Sequence, residues 1–439
     1  MFPFGAAMAY EWLQYMPPDS VYNAGAFNNL SFIMGVVAMA GWGLRDRKVF
    51  PKPGWLLGVF IVYVGWCFFT QVVSIVPVEG NMLQWDRAWK TLIFTVILSF
   101  MLRSRERVEG FLWVVMFALS NFILSGAVKT VLSGGGGETV IGAQGNILGE
   151  RVAFAIAVTT LIPIVRYLRD NSILLEPTKR FRMLMDAFTV ACVFTTIGTQ
   201  ARTGFVSLGV LSIFYFIKSK RKATFAMMLP ILAALVYFVA PAGYFERMNT
   251  ISDSSESSAA GRIDSWGWGW QFALDHPITG GGYHSFWLHQ VGNIDHPAFL
   301  EAHNIFVETL ADHGFVGLGL MLAMFFGMIL NCQQISKLSR GVPGLEWAVQ
   351  FGVMFQLAMW TFLAGSQFIS NAVFSMSYEL VALSIGVRGI VERELATQAK
   401  ATNTLSPVPA VGAGKPIQSP VPAAKGAWQR PVLAPKQRS

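Results

Sequence analysis

The sequence predicts an all-α polytopic membrane protein with about eleven or twelve transmembrane helices and one long loop on the outer side. Three observations predict it. Of 439 residues, 53% are hydrophobic and only 13% charged, with a mean hydropathy of +0.48. Apolar runs of about 17–25 residues recur along the chain, the length that crosses a bilayer as a helix. The basic residues gather in short connections that all fall on one side when the spans are counted in order, as the positive-inside rule requires.

The elements follow in order. A short segment at about 2–16 carries Glu11 and ends at Pro17 and Pro18, so it reads as a short or half span. Eleven further spans run approximately over 28–44, 55–77, 85–102, 110–132, 150–168, 183–200, 202–217, 224–241, 314–332, 345–369 and 373–391. The inner side is marked by Arg45, Arg47, Lys48 and Lys52, then Arg103, Arg105 and Arg107, then Arg166, Arg169, Lys179, Arg180 and Arg182. Lys218, Lys220, Arg221 and Lys222, then Lys337 and Arg340, then Arg388 and Arg393 continue the series. The outer connections are 78–84, 133–149, a tight turn at 200–202, the long stretch 242–303, and 370–372. The domains expected are a transmembrane bundle over 1–241, an outer loop with an interfacial helix over 242–303, membrane helices over 304–396, and a disordered cytoplasmic tail over 397–439. The tail is rich in Pro, Ala and Lys and poor in large apolar residues. Trp266 and Trp270, four apart in the "GRIDSWGWGWQFAL" stretch, suggest that the loop helix lies flat at the membrane surface.

The net charge of +8 belongs to these scattered loops. No basic stripe carries interleaved aromatics, so the sequence speaks against nucleic acid as a partner. The three cysteines, Cys67, Cys192 and Cys332, sit in apolar runs without metal spacing and read as small buried hydrophobes. No basic region precedes the first apolar residues, so no cleavable signal is expected.

All six histidines fall within residues 276–313, which marks the outer face as the working face. Zinc-ligand spacing is missing: His284 and His289 are five apart, and no D-x-D carboxylate pair occurs. No metal and no cofactor is expected. Arg202, Arg262 and Arg151 lie outside, against the positive-inside trend. The residues admit two readings, snorkelling or a structural ion pair on one hand and a guanidinium fork for phosphate on the other. Glu256 and Asp264 stand near Arg262, and Glu150 adjoins Arg151. His303 precedes a helix starting near Asn304, on which 303, 307, 310, 314 and 317 share one stripe. Gly314 and Gly317 on that stripe would let a neighbouring helix approach, placing the imidazole over a groove at the outer boundary, where it can take a proton. Alternatively it is an interfacial histidine bonded to a loop carbonyl. A transporter would need charges deep in the membrane; Lys129 and Asp186 are the best candidates, and both sit near span ends.

These residues resemble a known family. "HNIFVETLADHGFVG" fits the H-[NSQ]-x9-G-x2-G motif of the O-antigen ligases at His303, Asn304, Gly314 and Gly317. "ARTGFVSLGVL" resembles the family's first arginine motif, with Arg202, and "GRIDSWGWGWQFALDHPITGGGYHSF" its second, with Arg262. The second continues into a turn with Asp275, His276, Pro277, Gly280 and Gly282. "AYEWLQYMPPDSVY" and "QGNILGERVAFAIAVTTLIPIVRYLR" are similar to the O-glycosylation ligases associated with exosortase A, over about residues 6–395. Those relatives carry more apolar residues before this point, so either a short first span or a start site lying farther upstream is expected here. The resemblance implies glycan transfer from a polyprenyl (undecaprenyl) diphosphate to an acceptor hydroxyl on a protein or another glycan. No nucleotide or metal takes part. His303 would be the general base, Arg202 and Arg262 would bind the diphosphate, and Asn304, Gly314, Gly317, Arg151 and His276 would support them. The location implied is the bacterial inner membrane, with the site facing the periplasm. A polysaccharide polymerase of the same superfamily is the alternative, with a transporter third.

Overall fold

The computed structural model describes residues 2–18, 29–46, 54–134, 137–218, 257–292, 301–370 and 372–404. They form α-helices and short 3-10 turns, with no strand among the described residues. The helices are α1 (Phe2–Tyr15), α2 (Leu30–Arg45), α3 (Trp55–Val72), α4 (Val78–Met101), α5 (Arg105–Leu132), α6 (Arg151–Asn171) and α7 (Lys179–Gly198). They continue as α8 (Arg202–Lys218), α9 (Ser257–Asp275), α10 (Phe286–Gly292), α11 (Ile305–Ser339), α12 (Glu346–Gly365) and α13 (Ser375–Thr404). Each expected span inside the described residues overlaps a helix, but α3 ends at Val72 short of the expected 77, and α4 begins at Val78, taking in the expected outer connection 78–84. The span expected at 224–241 lies outside the described residues, as do all of 242–256 and His296.

Among the described residues, six helices are long and apolar enough to cross a membrane: α3, α5, α6, α7, α11 and the run Glu346–Phe368. Leu30–Arg45 and Arg202–Ile217 are shorter apolar helices. Large apolar side chains point outward along them, among them Ile33, Val62, Phe69, Leu124, Val128 and Ile213. A water-soluble surface does not tolerate so much exposed hydrocarbon, whereas lipid does. The protein is an all-α, multi-pass membrane protein. At its centre runs α6, whose Ala153, Ala155, Ala157, Thr159 and Thr160 are buried. Small residues there let the neighbouring helices come close; Ile156 touches the position where Gly365 of α12 lacks a side chain.

The loops sort into two groups that meet at opposite ends. At the basic end, Asp46 pairs with Arg103 (2.7 Å) and Arg107 (2.9 Å), Arg105 donates to the Asn171 carbonyl (2.6 Å), and Arg393 donates to the Arg103 carbonyl (2.8 Å). Glu109 accepts the Ile173 (2.7 Å) and Leu174 (2.9 Å) N–H groups there. At the other end, Asn146 donates to the Gln14 carbonyl (2.8 Å), Gln200 to the Gly137 carbonyl (3.1 Å), and Ile75 N–H to the Gly281 carbonyl (3.0 Å). The two candidate transport charges are engaged as ion pairs: Lys129 with Glu138 (2.9 Å) and Asp186 with Arg166 (3.2 Å) and Arg169 (2.6 Å).

Of the expected tail 397–439, residues 397–404 continue α13 to Thr404, and 405–439 lie outside the described residues. The last turns of α13, "ERELATQAKATNT", are good helix formers, which the proline-rich sequence farther on obscures. Trp266, half-buried, donates its indole N–H to the Ala302 carbonyl (2.8 Å), while Trp270 is 53% exposed.

Candidate active site

The site is built on a break in α11. Gly314 has φ 68° and ψ −174°, which is not helical. That interruption frees the Ala311 and Asp312 carbonyls from their intrahelical partners. The 277–285 turn takes them up. Gly281 N–H donates to Ala311 (3.0 Å), Gly282 N–H to Asp312 (2.9 Å), and Phe315 N–H returns to the Pro277 carbonyl (2.9 Å). The buried Asp312 carboxylate accepts the His284 (3.2 Å) and Ser285 (2.8 Å) N–H groups. Gly280 at φ +60° and Gly314 face each other backbone to backbone: a Cβ on Gly280 would lie 2.4 Å from the Ala311 oxygen. The turn is held from its far side as well, where Ser74 donates to the Gly281 carbonyl (3.0 Å) and His284 Nδ1 meets the Gly80 carbonyl (2.7 Å).

The expected glycine stripe is therefore corrected. Residues 303–317 do not form one continuous helical face, because the helix breaks at Gly314. Gly314 is the hinge on which the turn docks, not a groove for a neighbouring helix. Gly317 makes room both for His313 of its own helix, 2.2 Å from an added Cβ, and for Trp66 of α3, 3.3 Å from it, so a neighbouring helix does approach there. His313 is buried, with Nδ1 on Thr70 Oγ1 (2.7 Å), and ties α11 to α3.

His303 stands at the start of this assembly. Asn304 caps α11, its side-chain oxygen accepting from Phe306 N–H (2.9 Å) and Val307 N–H (3.3 Å). The preceding residues are pinned from α9: Ser265 Oγ donates to the Glu301 carbonyl (2.7 Å), and Trp266 to Ala302. Ala302 packs with Phe286, Ala311 and Trp268. His303 itself has φ 42°, a left-handed conformation costing about 1 kcal/mol for a side-chain-bearing residue. Its N–H donates to Ser370 Oγ (2.6 Å). With backbone and neighbours fixed in this way, the imidazole side chain remains 40% exposed.

Arg262 joins it through helical spacing. Ser265, Gly269 and Ala273 are buried along one stripe of α9, and Arg262 lies one turn before Ser265 on that face. Burial lowers the His303 imidazole below its ordinary value; the Glu301 charge opposes this and the Arg262 charge adds to it. Glu301 Oε2 lies 3.8 Å from His303 Nδ1. The Glu150 carboxyl is raised by burial and by Glu301, and lowered by Arg151 and Arg262. His303, Arg262, Arg151, Glu150 and Glu301 thus form one electrostatic group. Arg202 opens α8 at the same end and is exposed; the charges acting on His303 are those of Glu301 and Arg262. His276 stacks on Phe272 and its Nδ1 meets the Phe272 carbonyl (3.2 Å), so it belongs to the turn.

The histidines are dispersed over separate tasks, and no group of three His, Cys, Asp or Glu side chains suited to a metal occurs among the described residues. Sequence reasoning missed Glu301, Ser370 and Asp312. Glu301 stands in plain view two residues before His303, whereas Ser370 and the Asp312 turn contacts depend on distant segments meeting.

All three motif segments fall inside one stretch of the chain that is similar to a known family. Residues 187–322 match the family described as O-Antigen ligase. That O-antigen ligase match contains Arg202, Arg262, His303, Gly314 and Gly317. The match shows that this stretch is similar to O-Antigen ligases, and it covers about a third of the chain. Residues 1–173 match a family of unknown function (DUF5935). Comparison with the curated proteins found no match.

Proposed function

We propose that the protein is a glycan ligase of the O-glycosylation type. It transfers a glycan from a polyprenyl diphosphate to an acceptor hydroxyl at the end of the bundle opposite the basic loops, facing the periplasm from the inner membrane. The observation that carries this reading is the pairing of a half-exposed imidazole with the Arg262 guanidinium, within the stretch similar to O-Antigen ligase.

His303 takes the proton of the acceptor hydroxyl as its oxygen bonds to the anomeric carbon of the donor. The bond from that carbon to the diphosphate oxygen breaks, and the lipid diphosphate leaves with the electron pair. Arg262 and Arg202 stabilise the charge growing on it. Of the two charges that act on His303, Glu301 and Arg262, the guanidinium is the one that attracts a diphosphate, and Arg202, at the start of α8, would supply a second. Because burial lowers its affinity for protons, His303 is neutral at pH 7 and ready to act as a base.

Glu301 sets the acid limit. Its charge favours the imidazolium, so Glu301→Gln lowers the His303 pKa and keeps the neutral base present at lower pH. The acid limb of kcat/KM is expected to move down in pH; an upward shift would remove Glu301 from this role. The reading as a whole is tested with purified protein, a lipid-diphosphate-linked glycan and a panel of protein and glycan acceptors. Release of lipid diphosphate coupled to a glycosylated protein is expected. Longer lipid-linked glycan as the only product would make the enzyme a polymerase, and no release with any pair would sink the transfer reading.

A further inference from the structure

A cleft with a mixed polar and apolar lining opens at the same end as His303, between α1, α4, the 145–148 loop and the start of α13. Its volume is about 170 Å³, and Arg87, Thr91, Gln14, Asn146, Phe374 and Ser375 line it. Arg87 is exposed, and no hydrogen bond or ion pair engages its guanidinium among the described residues. The adjacent Asp86 is held by Lys90 (2.6 Å), an ion pair on the same helix. An arginine at the end opposite the basic loops runs against the orientation rule, as Arg262 does.

The walls of the cleft are fixed. Asn146 spans the gap by donating to the Gln14 carbonyl (2.8 Å) and accepting from Leu148 N–H (2.9 Å). Below, the Tyr15 hydroxyl donates to the buried Glu379 carboxylate (2.9 Å), which locks α1 to α13. A rigid frame offering an amide, hydroxyls, an aromatic ring and an open guanidinium suits a hydroxylated ring bearing an anion. The guanidinium fork matches a planar carboxylate in two parallel bonds. The volume suits a single sugar ring. Ser375 lines this cleft, and Ser370, five residues earlier, holds the His303 N–H. Five residues span at most about 18 Å, within reach of a short oligosaccharide whose end lies at His303.

We propose that this cleft is a subsite for an acidic sugar of the glycan substrate, read by Arg87. The assignment rests on the glycan-transfer reading for its substrate, yet binding is measurable without transfer. A lipid headgroup shares the anionic, hydroxylated chemistry, so the probes must separate the two. Saturation-transfer NMR on the full chain in nanodiscs uses galacturonate, galactose and glycerol 3-phosphate as probes. Galacturonate is expected to bind, galactose at least about tenfold more weakly, and glycerol 3-phosphate without displacing it. Arg87→Gln is expected to weaken galacturonate about tenfold or more, with Arg87→Lys falling between the two. His303→Ala should leave galacturonate binding unchanged, which separates this site from the transfer reaction. Equal binding of galactose, an unaffected Arg87→Gln variant, or absence of galacturonate binding would overturn the proposal. Displacement by glycerol 3-phosphate would reassign the cleft to lipid. If galacturonate binds as expected while the purified protein transfers nothing, the transfer reading fails and the sugar site stands.

Discussion

Replacing His303 with Ala is expected to lower the rate of lipid-diphosphate release by about 10²–10⁴-fold, the usual contribution of a general base. The protein should still insert and fold. The side chain is 40% exposed, and the bond that anchors the residue, to Ser370, comes from its backbone N–H. The conformation at φ 42° is a separate concern, since Ala tolerates it poorly. His303→Asn answers that concern: Asn adopts the left-handed region readily but cannot act as the base. Both variants should be inactive, with thermal unfolding unchanged in His303→Asn. An active Asn variant beside an inactive Ala variant would mean that His303 serves the backbone and not the chemistry.

The second large effect is expected at Gly314. Its φ of 68° with ψ of −174° belongs to a region open essentially to glycine alone. A methyl there would lie 2.3 Å from the Ile278 oxygen and 2.7 Å from the Pro277 oxygen. Gly314→Ala therefore combines backbone strain of about 1–3 kcal/mol with the forced undocking of the 277–285 turn. That turn ends α9, and α9 carries Arg262 and pins the residues before His303. Thermal unfolding should fall by several degrees and transfer should be lost. Gly319→Ala is the control, five residues along the same helix, where nothing lies within 4 Å of the added methyl. It is expected to be neutral or slightly stabilising, because Ala favours helix over Gly. Equal effects at the two positions would contradict the hinge.

The helices and the two groups of loops were legible because each depends on local composition. An apolar run or a cluster such as Arg103, Arg105 and Arg107 is written within a few residues. His303 and Arg262 were legible for another reason: their motifs are contiguous and resemble a family. What the motif does physically was not legible. Helical periodicity placed Gly314 on a continuous stripe, since periodicity carries no signal for a positive φ in mid-helix. The break makes sense only when Pro277, Ile278 and Gly280 are seen against it. The partner of Trp266 was illegible for the same cause, being the Ala302 carbonyl thirty-six residues away. Arg87 was passed over because α4 reads as one span, and only the fold brings Gln14, Asn146 and Ser375 around it.

The division of labour between base and guanidiniums is the centre of the account, and lipid-diphosphate binding measured by native mass spectrometry tests it most directly. The account predicts that His303→Ala binds undecaprenyl diphosphate as wild type does, while Arg262→Ala loses about tenfold or more. Normal binding by Arg262→Ala, or loss of binding in His303→Ala, would contradict it.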